Sequence, residues 1–207
     1  MPQAIDLGLP SGLKWASFNL GASAPEEYGD YYAWGETEPY YSSQDPLAWK
    51  DGKTGYDWAS YKWCNGSYNS LTKYCHKSHW GYNGFTVGKT VLELEDDAAH
   101  LNLGDKWRMP TDAEWTELRE NCTWTWTTQN GIAGGLVTAS NGNSIFLPAA
   151  GYRYDTSLDD VGSGGNYWSS SLSGLSDCAW YMRVYSDFVS GRDASRYFGF
   201  SVRPVSE

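Results

Sequence analysis

Histidine, cysteine and clustered positive charge are all scarce in this chain, and each scarcity closes off a class of function. Three histidines offer little general-base capacity, and no G-x-S-x-G, H-E-x-x-H or P-loop sequence occurs, so the familiar hydrolase, zinc-protease and nucleotide-binding constellations have no foothold. The four cysteines, Cys64, Cys75, Cys122 and Cys178, are scattered, include no C-x-x-C and fall far short of a disulfide scaffold, which predicts a reduced state. Cys64 and Cys75 bracket a short polar loop that an oxidising setting would allow to be bridged. With His76 and His79 they also sketch a zinc set, but compact four-ligand spacing is missing and metal-free loop residues are the better reading. The 15 Lys and Arg residues form no cluster and the formal charge is -10, which opposes phosphate backbones and argues against DNA or RNA as partner. No apolar run approaches the roughly 20 residues that span a bilayer, so the chain reads as soluble and no membrane insertion by it is expected. Met1-Pro2-Gln3-Ala4 lacks the charged and apolar blocks of a signal peptide. Strand-like sequence begins at Ile5, so that lack leaves localisation open.

What the chain has in quantity is aromatic surface: 12 Trp and 16 Tyr against only 19% charged residues. Large planar side chains must therefore supply both core and exterior, and a disordered chain is excluded. The length suits a single domain over residues 1–207. Ile5 to Leu9 and Leu13 to Phe18, separated by Pro10-Ser11-Gly12, read as a hairpin. Ser23-Ala24-Pro25-Glu26-Glu27 has the Pro and acids of a helix start, which predicts a short helix there. From about Glu36 to Lys89 no period is sustained, and the aromatic, Gly-rich and Asn-rich sequence reads as a long ordered excursion. Glu93, Glu95, Asp96 and Asp97 precede Ala98-Ala99-His100 as favourable charge at a helix start, with a calcium site as the alternative.

The clearest local signal is Trp107 to Leu118, where Thr111 and Glu114 form a T-x-x-E capping box and Trp115, Leu118 and Cys122 make one buried stripe. A helix from about Asp112 to Asn121 follows, and β-prone segments such as Ser144 to Leu147 come after it. Between Ala179 and Ser186 the chain alternates. Trp180, Met182 and Val184 fall on one face, expected inward, and Tyr181, Arg183 and Tyr185 on the other, expected outward. Gly191 and Arg192 read as the turn that follows.

Trp107-Arg108-Met109-Pro110-Thr111-Asp112-Ala113-Glu114-Trp115 resembles the W-R-L-P-T-x-A-E-W helix start of the formylglycine-generating-enzyme superfamily, a branch of the C-type-lectin-like fold. Asp6 to Trp15 and Gly29 to Glu36 are similar to the "major paralogous" domains of gut bacteria and their phages, so the likeness covers essentially the whole chain. The end, Tyr167-Trp168-Ser169-Ser170-Ser171 through Ser201-Val202-Arg203-Pro204-Val205, resembles variable proteins of diversity-generating retroelements. The resemblance implies an α+β fold of mixed antiparallel sheets, two or more short helices and long ordered loops. It also implies a variable region at about 166–205, rewritten by adenine-targeted mutagenesis. Such mutagenesis of AAY codons does not reach Lys, Glu, Gln, Met or Trp, and between Ser169 and Phe200 only Trp180 and Met182 break that rule. Lys and Glu are absent from the whole of Asn121 to Ser206, so a compositional drift explains part of the pattern.

The expectation is therefore a non-enzymatic binding protein of receptor or adhesin type, extracellular, on a bacterial surface or on a phage particle, with a protein or glycan ligand on a cell surface as partner and no cofactor. Its contact residues are Tyr181, Arg183, Tyr185, Asp187, Phe188, Ser190, Asp193, Ala194, Ser195, Tyr197 and Phe198, a mixture of aromatic area and adaptable polar groups of the kind antibody loops use. Trp168, Trp180 and Met182 are the buried supports, and Gly165, Ser169 to Ser171 and Arg203 hold the frame. Arg192 and Arg196 fit either group. Outward Tyr and Arg on a hairpin also occur for cross-strand packing alone. The runner-up functions are a fixed carbohydrate- or calcium-binding lectin-like module and a formylglycine-generating-type oxidase. The chain lacks the E-P-N or Q-P-D tripeptide of the first, and the R-G-G-S-W block, terminal G-F-R and second late cysteine of the oxidase.

Overall fold

The computed structural model describes residues 1–44 and 47–207. β1 (Ala4–Asp6) and β2 (Lys14–Ala16) form the expected N-terminal hairpin, with Ile5 opposite Trp15. β3 (Tyr41–Gln44) and β4 (Leu47–Trp49) make a two-stranded ribbon. The helices α1 (Ala98–Leu103) and α2 (Asp112–Asn121) follow. β5 (Thr123–Gln129), β6 (Ile132–Thr138) and β7 (Ser144–Pro148) form an antiparallel meander, and β8 (Tyr152–Tyr154) with β9 (Ser157–Asp159) a second ribbon. β10 (Gly164–Leu172), β11 (Cys178–Tyr185) and β12 (Val189–Ser195) pair antiparallel in that order. β13 (Val205–Ser206) returns to β2 and sets Val205 opposite Trp15, so the two ends of the chain share one sheet. Small antiparallel sheets with short helices are the α+β class expected from the sequence.

α2 starts where the capping box places it. Thr111 Oγ1 accepts from the Glu114 amide at 3.3 Å, the Glu114 carboxylate accepts from the Thr111 amide at 2.8 Å, and Arg108 forks the same carboxylate at 2.8 and 2.7 Å. Its Trp115 and Leu118 are wholly buried against Leu7, Trp15, Val137, Tyr167, Met182 and Val184. Asp97 caps α1, accepting from Ala99 and His100 at 2.9 and 3.0 Å.

The helix expected at Ser23–Glu27 does not form. A turn replaces it, closed by the Glu27 carboxylate on the Ser23 amide at 2.7 Å, between Gly21 and Gly29, both at positive φ. The aromatics that follow pair with distant chain instead: the Tyr32 amide donates to the Phe200 carbonyl and the Trp34 amide to the Arg196 carbonyl, both at 2.9 Å. Tertiary pairing overrides local propensity here.

The long excursion from Glu36 to Lys89 is ordered by side chains as much as by ladders. Tyr56 and Tyr61 donate their hydroxyls to the carbonyls of Tyr31 and Trp34 at 2.7 and 2.6 Å, and the Trp63 indole donates to the Gly35 carbonyl at 2.7 Å. Buried phenols thus satisfy backbone acceptors that no strand partner reaches. Two arginines do the same on a larger scale. Arg203, fully buried, donates to Asn19 Oδ1 and to the Ala16 and Phe146 carbonyls at 2.9, 3.0 and 2.6 Å. Its pKa is pushed down to about 10 by burial. Arg196, also fully buried, donates to Tyr61 Oη and to the carbonyls of Tyr74, Ser176 and Lys73, stapling the excursion to the chain that follows β12. Arg196 therefore belongs to the scaffold.

Candidate ligand-binding surface

The β10-β11-β12 sheet is packed on both sides. β10 is buried almost throughout; Tyr167 lies with Met182 and Val184 beneath α2, while Trp168 points the other way onto Phe200, ring centroids 4.3 Å apart. Trp168 and Met182 are buried as expected of supports, and Arg203, expected in the frame, is fully buried as well. Trp180 does not. The apolar cluster beneath α2 takes in Met182 and Val184 and stops short of Trp180, which is half-buried at the start of β11 opposite Asp193. Its firm anchor is its backbone, whose carbonyl accepts from Ser169 Oγ at 2.7 Å.

Register sorts the expected contact residues. Tyr181 pairs with Arg192, Arg183 with Ser190 and Ala179 with Ala194, so Tyr181, Arg183, Tyr185, Ser190, Arg192 and Ala194 share one face. Asp193 pairs with Trp180 and Ser195 with Cys178, which turns both to the opposite face. Gly191 and Arg192 lie within β12 rather than at a turn. The turn is Ser186-Asp187, closed by the Tyr185 amide on the Phe188 carbonyl at 3.0 Å, and it leaves Asp187 and Phe188 exposed. A groove of about 230 Å³ runs under its far side, along Trp124, Trp126 and Val189.

The face itself is a plate of rings. Tyr181 sits 4.6 Å from Phe200 and 6.0 Å from Trp168, so it is half-buried rather than freely outward. Phe198 stacks on Tyr154 at 5.3 Å and on Tyr197 at 4.8 Å, Tyr152 meets Phe198 edge-on at 5.8 Å, and Trp58 meets Tyr197 at 5.1 Å. At the other end Tyr185 stacks on Phe188 at 5.0 Å and donates its hydroxyl to Asp160 at 2.7 Å. The Tyr185 ring packs so closely on Gly164 that a Cβ there would lie 2.3 Å from it. Burial pushes the Tyr185 phenol up to about 12, helped by Asp160, and burial with Tyr154 does the same to Tyr197.

Trp58, Tyr152, Tyr154 and Asp160 were not singled out in the sequence. A signal for two of them existed: Tyr152 and Tyr154 alternate with the buried Arg153 between Gly151 and Asp155, the pattern of a short strand showing two rings on one side. Trp58 lies in the excursion, where no period marked it.

Other candidate chemistry resolves differently. Among the described residues the one group of three or more potential metal ligands is Glu93, Glu95 and Asp96, and Lys73 Nζ lies 3.4, 2.7 and 2.6 Å from those carboxylates, already supplying a positive charge. Cys64, Cys75, His76 and His79 form no such group. The cysteines are unbridged, and burial raises the thiols of Cys64, Cys122 and Cys178, the last to about 12 with Asp177 and Asp193 adding to the effect. None of the described helices is long and apolar enough to cross a membrane. No protein-family model, curated protein or solved structure matches the chain.

Proposed function

We propose that this protein is a non-enzymatic recognition domain of receptor or adhesin type, in which a C-type-lectin-like frame displays the β11-β12 face and the 186–188 turn to a macromolecular target. The observation that carries the reading is the concentration of half-exposed rings and adaptable polar groups on and beside a hairpin whose underlying strand is almost wholly buried. Such a surface presents contact residues already in place, so little ordering entropy opposes association and a few aromatic anchors dominate affinity. Phe188, 37% exposed, and Tyr154, 46% exposed, with Tyr197 and Phe198, are the anchors.

Cysteine-based oxidation is the weaker reading, because the thiols of Cys64, Cys122 and Cys178 are all held toward the protonated form, whereas nucleophilic and redox cysteines are lowered. Retroelement diversification adds one requirement: variation should respect the frame. Deep sequencing of this gene across a population of its source tests it. Substitutions arising at adenines and concentrated in the codons of 181–198, sparing Trp180, Met182 and Val202, are the expected result. Evenly spread variation, or none, would point instead to a fixed lectin-like module with one dedicated ligand.

A further inference from the structure

Arg183 and Arg192 stand on the same face of the hairpin, in adjacent cross-strand pairs on either side of Tyr181. Burial raises the Tyr181 phenol, with Arg183 and Arg192 acting against that rise and Asp193 adding to it. Neither arginine takes part in an ion pair among the described residues. The nearby carboxylates are otherwise placed: Asp160 accepts the Tyr185 hydroxyl, Asp193 turns to the opposite face, and Asp187 is exposed at the turn. Arg183 is held in position, its guanidinium 4.5 Å over the Phe188 ring and Nη2 3.3 Å from Ser190 Oγ, yet its Nε is buried with no acceptor. In a chain of net charge -10, two arginines left without carboxylates on a single face form a local positive site.

The edge of the sheet adds a second element. The Tyr185–Phe188 bond sets the phase of the ladder, so Arg183–Ser190 and Tyr181–Arg192 are bonded pairs, and the amides and carbonyls of Val189, Gly191 and Asp193 point away from β11. Among the described residues no backbone hydrogen bond takes them up. β12 is thus an open edge beside an unpaired arginine fork.

We infer that the ligand of this face is an acidic polypeptide segment that pairs along the outer edge of β12 and delivers an Asp or Glu carboxylate to Arg192, with Arg183 one strand behind and Tyr181 between them. The inference rests on the proposed function and specifies its ligand class. Arginine recognises carboxylates through its planar fork, and strand addition supplies affinity through main-chain bonds. An acidic sugar would offer the carboxylate without the ladder.

The test pans a phage-displayed random peptide library on the immobilised full chain and on the variants Arg192→Glu, Arg183→Gln and Phe188→Ala. Arg192 is exposed, so its charge reversal leaves folding intact even if Arg183→Gln does not. Peptides enriched in Asp and Glu, weakened about tenfold or more by Arg192→Glu and weakened again by N-methylation at alternate backbone positions, are the expected result. Enriched peptides with no acidic excess that still depend on Phe188 overturn the inference and leave the binding surface standing. Acidic peptides indifferent to N-methylation overturn the edge pairing. No enrichment, with polygalacturonate bound in an Arg192-dependent way, makes the ligand an acidic sugar and also overturns it. Peptides insensitive to Arg192→Glu and Phe188→Ala alike bind elsewhere and overturn both readings.

Discussion

The excursion from Glu36 to Lys89 and the face of the β11-β12 hairpin use the same side chains in opposite ways. In the first, the hydroxyls of Tyr56 and Tyr61 and the Trp63 indole are spent on backbone carbonyls. Beside the hairpin face the rings of Tyr154, Tyr197 and Phe198 stack chiefly on one another. The arginines divide likewise. Arg196 and Arg203 are buried with their donors shared among carbonyls and side-chain oxygens, whereas Arg192 stands at the surface and the half-buried Arg183 keeps a donor without an acceptor. Residue type alone therefore does not separate the two regions; the number of internal acceptors within reach does.

The comparison breaks most visibly at Arg203. Arg203→Ala strips acceptors on Asn19, Ala16 and Phe146 of their donor at a fully buried point, and a loss of about 3–5 kcal/mol is expected in denaturant unfolding. Arg192→Ala, at the surface, should change that midpoint little. Next in size is the response to alkali. The phenols of Tyr167, Tyr185 and Tyr197 sit at about 12 in the fold against 10.0 in an unperturbed tyrosine. The folded state keeps protons that the unfolded chain has released, so the stability they contribute is present below pH 10 and is lost as pH rises through 10 to 12. Urea midpoints measured across that window, with phenolate absorbance followed in parallel, should fall together with a delayed, cooperative ionisation; early independent titration of the tyrosines would mean they are not buried.

Smaller effects sharpen the boundary between frame and face. Trp168→Ala should cost about 3–5 kcal/mol and Trp180→Ala only about 1–2 kcal/mol, because the first fills the core and the second is half-buried. Equal losses would restore Trp180 to the core. Phe188→Ala should leave stability within about 1 kcal/mol while weakening ligand binding about tenfold. Tyr185→Ala is a poorer probe of binding, since its ring packs on Gly164 and its hydroxyl holds Asp160.

Legibility in the sequence followed the range of the forces involved. α2 was readable residue by residue because a capping box and a 3.6-residue stripe are local devices. The N-terminal hairpin was readable from Pro10-Ser11-Gly12 between two apolar segments. At Ser23–Glu27 the local helix signal lost to pairing of Tyr32 with Phe200, far away in the chain. The alternation of β11 gave the right parity, but parity does not say where the cover ends, and α2 shelters Met182 and Val184 without reaching Trp180. Likewise Asp193 and Ser195 share the contact composition of their neighbours, and only register turns them to the other face.

The central claim is that the exposed side chains of the hairpin face and its turn are free of folding duty while the frame around them is not. A saturation scan of residues 165–205, read out as protease resistance of displayed variants, tests it without any ligand. Asp187, Phe188, Ser190 and Arg192 should accept nearly every substitution, and Trp168, Arg196 and Arg203 almost none. If the face proves as intolerant as the frame, those side chains exist to hold the fold together, and the reading of this surface as a recognition site is contradicted.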